Sequence, residues 1–563
     1  MVRVGPSVLL CLAAVASATK DATFVTDSAD AAGLLHQANT LRHVDSANAS
    51  ALYAQVASMS NITAAGDALF ALGDLAFPDP SARLFFKQSA ALGRPHAQHM
   101  LAALTAIGIG SPPAVASAVI YDHFAALGGD SRAAQALGYR ALYGLGSPRS
   151  CAVALKYYKH RAATVVAESA SMAPGLWRKP VSLVNQAVTD PDTDFHKLVY
   201  VAAAAASARD GRALYRAATR YLTLMGPVDS SEYVTPRAWL EEALVCGEAA
   251  AAAYLGHFYA FGWGVPIDYS RAHALYTVAI DIKGGEALNG LGLLHLHGRG
   301  VPQNEDVALD HFDKAALQGH ADAMYHVGAI LGARKQESLS ARYLQAATSS
   351  GHALATFAYA QVVEKTSVHP FPRTCDIVVP LYKRVAEARG HPLFDRAVAA
   401  FHRGDYAEAH LMYRIVAEEG YLVAQTNALW LQHEGYVSYK DPRLAKRAAA
   451  QGSGYAQLLL ADAHYNRGDY RMALAAYTVI ATSTQTQWKT PGAYKIVAPA
   501  AFRLGYMHEM GLGTPASRSS ALQFYARAIE VERRFKLPIE LWTWKWALLD
   551  FFAVLTAHQS ENL

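Results

Sequence analysis

Cysteine is scarce in this sequence, with four residues among 563. Cys11 falls within a predicted signal peptide, so Cys151, Cys246 and Cys375 would remain in the processed chain. An odd number permits at most one disulfide bond and leaves one free thiol, which excludes a small fold built on several disulfides. Cys151 and Cys375 lie in matched contexts, each after proline, arginine and a hydroxyl residue that we expect to be a helix N-cap. They are either buried small hydrophobic residues or a bridged pair, and the sequence leaves both readings open.

Charge of one sign is also lacking. The chain has 50 basic and 46 acidic residues, which gives a net charge of +4, and no run of lysine or arginine stands out. Proteins that bind nucleic acid carry a basic patch or stripe, because the phosphate backbone is held mainly by lysine and arginine. We therefore predict no nucleic-acid partner.

Motifs of common enzyme sites are absent as well: the sequence contains no His-Glu-x-x-His, no Cys-x-x-Cys and no P-loop. Three pairs of residues could carry chemistry at first sight, and they are His295 with His297, Glu241 with Glu242, and Glu418 with Glu419. The histidine pair falls at the end of a predicted helix, where partly exposed histidines are common, and we expect the carboxylate pairs on solvated helix surfaces. We predict no catalytic, metal-binding or cofactor-binding residues, and a lumenal helical-barrel glycosidase is the alternative enzyme class.

Instead, the sequence repeats one turn signature, Gly-x-Gly-x-Pro, five times. The glycine and proline content would give roughly 0.1 occurrences by chance. Two glycines can supply positive φ angles after a helix, and proline keeps the next residues extended before a second helix begins. The turn glycines are Gly108, Gly110, Gly144, Gly146, Gly262, Gly264, Gly298, Gly300, Gly511 and Gly513.

These turns recur at a fixed spacing, because 298 − 262 and 144 − 108 both equal 36. Such a period is typical of stacked repeat architectures. After the turn at Gly262, the residues Ala272, Tyr276 and Ala279 are spaced by four and three positions, which places them on one face of a helix. Gly256, in the preceding helix, would let this face approach closely. The pattern predicts an all-α fold, a right-handed α/α solenoid of repeated helix A, tight turn and helix B.

The N-terminus has the pattern of a secretory signal peptide in residues 1–18. Arg3 precedes an apolar run from Val8 to Val15, and small residues end the segment near Ala18. N-glycosylation acts on proteins of the secretory pathway at Asn-x-Ser/Thr triplets. Two such triplets make Asn48 and Asn61 candidate glycosylation sites.

Irregular, proline-containing stretches divide the predicted repeats into blocks. We predict an N-terminal block over 29–165, a linker or loop over 166–198, a middle block over 199–365 and a C-terminal block over 366–536. Residues 537–563 form a final segment that contains Trp542, Trp544 and Trp546.

That final segment supports two interpretations. Its apolar residues follow a helical stripe. In one interpretation the stripe contacts a partner or the membrane interface, and in the other the helix caps the last repeat. Trp542, Trp544 and Trp546 are the candidate partner-binding residues. The stretch from Leu537 to Ala557 includes two acidic residues and a lysine, so it cannot comfortably span a bilayer.

The repeats resemble the Sel-1-like repeat. Its pattern of Ala, Leu-Gly, Tyr, Gly-x-Gly-Val, Ala and Tyr-x-x-Ala-Ala is met almost letter by letter between Ala252 and Ala316. Beyond the repeat itself, Leu504 to Gly513, the stretch from Gly404 to Gln425, and the Ser/Thr-Cys helix starts at Cys151 and Cys375 are similar to the Sel-1-like adaptors of endoplasmic-reticulum-associated degradation (ERAD). The resemblance covers roughly Ala65 to Glu530 in the same order.

This resemblance implies a non-catalytic scaffold in the endoplasmic reticulum lumen or on the lumenal face of its membrane. Members of the family partner a Hrd-type membrane ubiquitin ligase, receive misfolded glycoproteins and dock a mannose-reading lectin. They usually continue into a transmembrane helix, so here we expect at most peripheral membrane contact at the C-terminus. The alternative among binding proteins is a soluble lumenal or secreted repeat scaffold unrelated to the ligase.

Overall fold

The chain is helical throughout the part that the structure describes. The computed structural model describes residues 28–42, 44–169, 191–225, 233–280, 284–366, 373–388, 390–482 and 494–560. These ranges contain α-helices, a 3-10 turn at Arg533–Phe535 and no β-strand. The predicted all-α solenoid of paired helices is confirmed, while the right hand of its superhelix stays a prediction. The predicted signal peptide, 1–18, lies outside the described residues.

The described residues form two compact units. The first takes in the described residues up to Pro392 together with Glu418–Gly420. Its helices are α1 Ser28–Leu41, α2 Ser46–Ala57, α3 Ile62–Ala76, α4 Ala82–Ala91, α5 Pro95–Ile107, α6 Val115–Leu127, α7 Ser131–Tyr143, α8 Cys151–Ser169, α9 Pro191–Ser207, α10 Gly211–Met225, α11 Val234–Val245, α12 Ala250–Phe261, α13 Tyr269–Ala279, α14 Gly284–His297, α15 Glu305–Leu317, α16 Ala321–Ala333, α17 Glu337–Ser349, α18 Ala353–Thr366 and α19 Arg373–Ala386.

The second unit takes in Leu393–Ala417 and the chain from Tyr421 onward. Its helices are α20 Pro392–His402, α21 Tyr406–Glu418, α22 Leu422–His433, α23 Pro442–Ala450, α24 Gly454–Asn466, α25 Tyr470–Thr482, α26 Tyr494–Met510, α27 Arg518–Val531 and α28 Lys536–Ser560.

The repeated turns join the two helices of a repeat through glycine. All ten turn glycines have φ between 62° and 81°, a left-handed conformation that costs other residues energy because of their Cβ. Gly108, Gly144 and Gly262 are the C-caps of α5, α7 and α12. The next helix then begins at a polar N-cap; before α13, for example, the Asp268 side chain accepts a hydrogen bond from the Arg271 amide.

Helix A and helix B of a repeat pack closely because helix A carries a small residue at the crossing. A Cβ added to Gly256 in α12 would lie 2.4 Å from the Tyr276 ring of α13, and one added to Gly292 would lie 2.5 Å from the Phe312 ring. Ala272, Tyr276 and Ala279 are all buried. The predicted close approach is therefore confirmed in these repeats.

Helix α8 packs along α19, although the two are far apart in sequence. Tyr158 of α8 and Tyr382 of α19 lie in one buried cluster with Val378 and Val379. A disulfide joins Cys151 to Cys375, with their Cα atoms 6.1 Å apart. Of the two readings that the sequence left open, the structure has the bridged pair, and Cys246 is free.

Two sequence boundaries differ from the structure. Helix α8 continues to Ser169 and α9 already begins at Pro191, so both flanks of the predicted linker, 166–198, are helical, while its middle lies outside the described residues. Helix α19 begins at Arg373, so Thr374 lies inside its first turn rather than before it.

Candidate interaction surfaces

The C-terminal helix α28 is attached to the last repeat by one of its three tryptophans. Trp546 is only 9% exposed and belongs to the buried cluster that holds Tyr525 of α27. The Arg518 guanidinium lies 4.9 Å from the centre of the Trp546 ring, a cation–π distance. Trp546 therefore packs in the core of the last repeat and is not available to a partner.

Trp542 is fixed by a carboxylate from the same repeat. Glu509 of α26 accepts a hydrogen bond from the Trp542 indole nitrogen at 2.9 Å and one from the Tyr525 hydroxyl at 2.7 Å, and it forms an ion pair with Lys545. Burial alone would raise the pKa of Glu509, but the hydrogen bonds from Lys545, Trp542 and Tyr525 outweigh burial and hold that pKa below its usual value. The Glu509 carboxylate therefore stays ionised and orients Trp542 and Lys545 of α28.

The opposite side of α28 presents apolar side chains to solvent. Leu537, Leu541, Trp544 and Leu548 are each between 55% and 67% exposed, and their spacing places them on one face of the helix. We call these four residues the apolar stripe. Of the three tryptophans proposed from the sequence, only Trp544 belongs to it. The side chains of 550–560 lie outside those that the structure describes.

The two candidate glycosylation sites lie near helix starts. Asn48 is exposed in the first turn of α2, where its side-chain nitrogen lies 2.5 Å from an oxygen of Asp45. Asn61 is the N-cap of α3, and its side-chain oxygen accepts a hydrogen bond from the Ala64 amide at 3.1 Å. In Asn61 the capping atom is the oxygen, so the nitrogen that would carry a glycan is not the atom used for capping.

One carboxylate pair was wrongly expected on a solvated surface. Glu418 and Glu419 are buried within the first unit, where they neutralise cations from distant parts of the sequence. Arg140 of α7 donates from Nη2 to Glu418 at 3.2 Å, and from Nε to Asp122 of α6 at 3.3 Å. The expectation failed because a buried carboxylate needs a partner, and the sequence next to Glu418 does not show that its partner is Arg140, 278 positions away.

Two histidines complete this group, and Nε2 of His391 lies 3.0 Å from Glu419. We call the group the buried ionic cluster: His99, Asp122, Arg140, His391, Glu418 and Glu419. The two ring nitrogens of His99 lie 2.8 Å from Asp122 and 3.1 Å from Glu419. Burial alone would lower the pKa of His99, but the hydrogen bonds to Asp122 and Glu419 raise it to about 10. The imidazole is therefore protonated and donates to a carboxylate from each nitrogen.

Histidines and acidic residues also link successive repeats in the middle of the chain. Glu286 of α14 accepts from His257 of α12 at 2.7 Å and from His320, the N-cap of α16, at 2.9 Å. The other ring nitrogen of His257 lies 2.7 Å from the Tyr276 hydroxyl. Sequence reasoning missed this network. The signal was present in part, because Glu286 and His320 lie at the starts of successive A helices.

The remaining candidate pairs show no convergence on a reaction centre. Glu242 is exposed, and Glu241 lies 3.9 Å from Arg237 on the same helix. His297 is exposed, whereas the His295 ring stacks on His311 with centroids 5.6 Å apart. Within the described ranges, no three histidine, cysteine or acidic side chains are grouped as metal ligands would be. None of the described helices combines the length and the apolar character needed to cross a bilayer.

Comparison with known proteins identifies the repeats. The family model of the Sel1 repeat matches residues 131–159, 249–281, 285–320, 321–352 and 498–530. These segments include four of the five Gly-x-Gly-x-Pro turns, those that begin at Gly144, Gly262, Gly298 and Gly511.

Three curated relatives carry related names. The ERAD-associated E3 ubiquitin-protein ligase component HRD3B of Arabidopsis thaliana is 27% identical over 478 residues, which cover 80% of this chain and 70% of the relative. The component HRD3 of Candida glabrata is 24% identical over 46% of this chain and 31% of its own. Protein sel-1 homolog 2 of Homo sapiens is 30% identical over 30% of this chain and 25% of its own. The chain thus spans less than a third of the last two.

Proposed function

Starting from a chain of Sel1 repeats that resembles the HRD3 and sel-1 proteins, we propose that it is a non-catalytic adaptor of an ERAD ubiquitin ligase complex. In this role it acts at the lumenal face of the endoplasmic reticulum membrane, receives misfolded glycoproteins and docks a mannose-reading lectin. The observation that carries the proposal is the similarity to HRD3B, because it extends over 80% of the chain rather than over the repeats alone.

The fold is suited to this role. Stacked helix pairs offer extended surfaces on which other polypeptides can lie, and each added repeat lengthens that surface without a new core. The candidate catalytic pairs do not converge. Glu419 is buried, Glu286 is partly buried, and each forms an ion pair with histidine. These contacts hold the pKa of both carboxyl groups well below the usual value. A group whose pKa lies so far from neutral pH is poorly suited to act as a general acid or base.

We assign the apolar stripe of α28 to contact with the ligase. Indole rings anchor helices at bilayer surfaces, but Trp542 and Trp546 are engaged with the chain's own last repeat. Trp544 is the most exposed of the three, at 67% against 41% for Trp542, and a tryptophan is a residue type that often anchors a protein interface. The hydrogen bond of Trp542 and the burial of Trp546 hold the helix in place, which lowers the entropic cost of docking.

Native co-purification tests the proposal. A tagged full-length chain should recover a multi-spanning RING-type ligase from detergent-solubilised membranes of its own organism. The double variant Trp544→Ala/Leu548→Ala should lose most of that ligase, whereas Leu522→Ala, which removes an exposed leucine from the neighbouring α27, should retain it. Circular dichroism of the three proteins should be superimposable.

Other outcomes favour other readings. Recovery of no ligase by the wild-type chain would favour a lumenal or secreted scaffold unrelated to the ligase. Ligase recovered equally by the stripe variant would leave the adaptor role and reject the stripe as its docking surface. Stripe-dependent flotation with phosphatidylcholine vesicles, without ligase, would assign the stripe to a membrane surface. Trimming of a high-mannose glycan by the purified chain would support the glycosidase alternative.

A further inference from the structure

The second unit contains an aromatic pocket that the adaptor role does not explain. Its volume is about 490 Å³, within the range of ligand-binding clefts. Five aromatic side chains line it, namely Tyr465 of α24, Phe502 and Tyr506 of α26, Phe535 before α28, and Trp542 of α28. Pro499 completes its apolar wall. We call this cleft the aromatic pocket.

The walls of the aromatic pocket are held in place before any ligand binds. The rings of Tyr506 and Trp542 lie 6.0 Å apart, and those of Phe502 and Phe535 lie 5.7 Å apart. The hydrogen bond from Trp542 to Glu509 fixes the indole. Preformed aromatic walls lose little conformational entropy when a ligand packs between them.

The pocket carries charge of one sign. Among the described residues that line it, Arg503 is the charged one. Its Nη1 pairs with Asp462 at 3.2 Å, and the side chain is 41% exposed. Because a guanidinium has five N–H donors, it can hold Asp462 and still offer donors to a ligand carboxylate.

The position of the lining residues indicates an extended ligand. Pro499, Phe502, Arg503 and Tyr506 are spaced along one face of α26. Tyr465 comes from α24, which contacts α26 directly. A ligand that contacts the lining residues of both α24 and α26 crosses from one helix to the next, as an extended peptide does on a helical repeat.

We propose that the aromatic pocket binds an extended, proline-containing peptide that carries an acidic side chain. Aromatic-lined grooves bind proline-rich segments because the polyproline conformation is already formed in the free peptide and its rings pack flat on aromatic faces. Arg503 then pairs with the acidic side chain and fixes the direction of the peptide. A neutral glycan fits less well, because the nearby carboxylates of Asp462 and Glu509 are already engaged by Arg503, Trp542, Tyr525 and Lys545.

Isothermal titration of the full-length chain with synthetic peptides tests this proposal. The probe is a capped peptide of repeated Glu-Pro-Pro triplets, and the two matched probes replace every proline by alanine or every glutamate by lysine. The Glu-Pro-Pro peptide should bind at least about tenfold more tightly than either matched probe.

Variants of the chain locate the site. Trp542→Ala should weaken binding of the Glu-Pro-Pro peptide by at least about tenfold, and Trp542→Phe should restore most of it because a ring is kept. Arg503→Glu should reverse the preference, so that the Lys-Pro-Pro peptide binds more tightly. Leu522→Ala, which lies outside the lining, should bind like the wild type. If Trp542→Ala does not fold, Tyr465→Ala provides the same test from α24.

Several results would overturn the proposal: no binding of the Glu-Pro-Pro peptide, equal binding of the alanine peptide, an unchanged preference in Arg503→Glu, or binding of a high-mannose oligosaccharide in place of the peptide. The pocket would bind its peptide whether or not the chain joins a ligase complex. Loss of ligase association in a chain that still binds the peptide therefore bears only on the proposed function.

Discussion

Arg140 donates to Glu418 across 278 positions of sequence, and both side chains are buried. The same guanidinium also donates to Asp122. Taking three charges out of water is costly, and their mutual pairing offsets that cost only while all partners are present. The buried ionic cluster is therefore a place where a single substitution leaves charges uncompensated.

We predict that Arg140→Met lowers the free energy of unfolding by about 3–5 kcal/mol, because Glu418 and Asp122 lose their shared cation. Urea denaturation followed by circular dichroism measures the change. Arg334→Met is the matched control: Arg334 pairs with Glu305 and Asp306 at the surface, so its loss should change the free energy of unfolding far less than the loss of Arg140. Equal effects of the two substitutions would contradict the burial of the cluster.

The disulfide between Cys151 and Cys375 should stabilise the packing of α8 on α19, because it closes a loop with a sequence separation of 224 residues. Cys151→Ala/Cys375→Ala should lower the free energy of unfolding by about 2–5 kcal/mol. Dithiothreitol should destabilise the wild type to a similar extent and leave the double variant unaffected. Cys246→Ala should respond to dithiothreitol like the wild type, and a wild type insensitive to the reductant would show that the bridge is not formed.

Two glycine-to-alanine substitutions should have opposite signs. Gly256→Ala should destabilise the chain by about 1–3 kcal/mol, because its new methyl group would overlap the Tyr276 ring. Gly33→Ala, in helix α1, meets no atom within 4 Å and should stabilise by about 0.5–1 kcal/mol through helix propensity alone. Thermal unfolding of both variants measures the difference. A Gly256→Ala variant as stable as the wild type would argue against the close crossing of α12 and α13.

The pKa of His99 predicts how stability depends on pH. That pKa is raised from its usual 6.5 to about 10 in the folded chain, so protonated His99 stabilises the fold fully below about pH 6.5. The contribution is lost as the pH rises from 6.5 towards 10. His99→Gln should therefore show a shallower decline of the free energy of unfolding across this window than the wild type. Parallel curves for the two proteins would mean that His99 does not titrate as a partner of Asp122 and Glu419.

The turns and the helix pairing within a repeat could be predicted from the sequence, because residues close together in the chain determine them. Gly256 and Tyr276 lie within one repeat, so the spacing of small and large residues was enough to predict their contact. Arg140 and Glu418, by contrast, meet only through the course of the whole first unit, and no spacing near Glu418 indicates a distant cation. The pairing of Cys151 with Cys375 has the same origin, and the matched sequences around the two cysteines left it open.

The C-terminal helix was predictable in part. The spacing of its apolar residues indicated a helix with one apolar face. Periodicity alone, however, does not tell which face of the helix packs against its neighbour and which is exposed. Glu509 decides this, because it holds Trp542 and Lys545 on the covered side and leaves Trp544 exposed. Glu509 precedes the turn glycine Gly511 by two residues, a position where the sequence gives no sign of a tertiary contact.

The turnover of a misfolded lumenal glycoprotein tests the adaptor role most directly. Its half-life should be followed after protein synthesis is stopped, in cells of the source organism that lack this chain. The account predicts a longer half-life than in normal cells, restored by the wild-type chain and by Leu522→Ala but not by Trp544→Ala/Leu548→Ala. An unchanged half-life in the cells that lack the chain would contradict it.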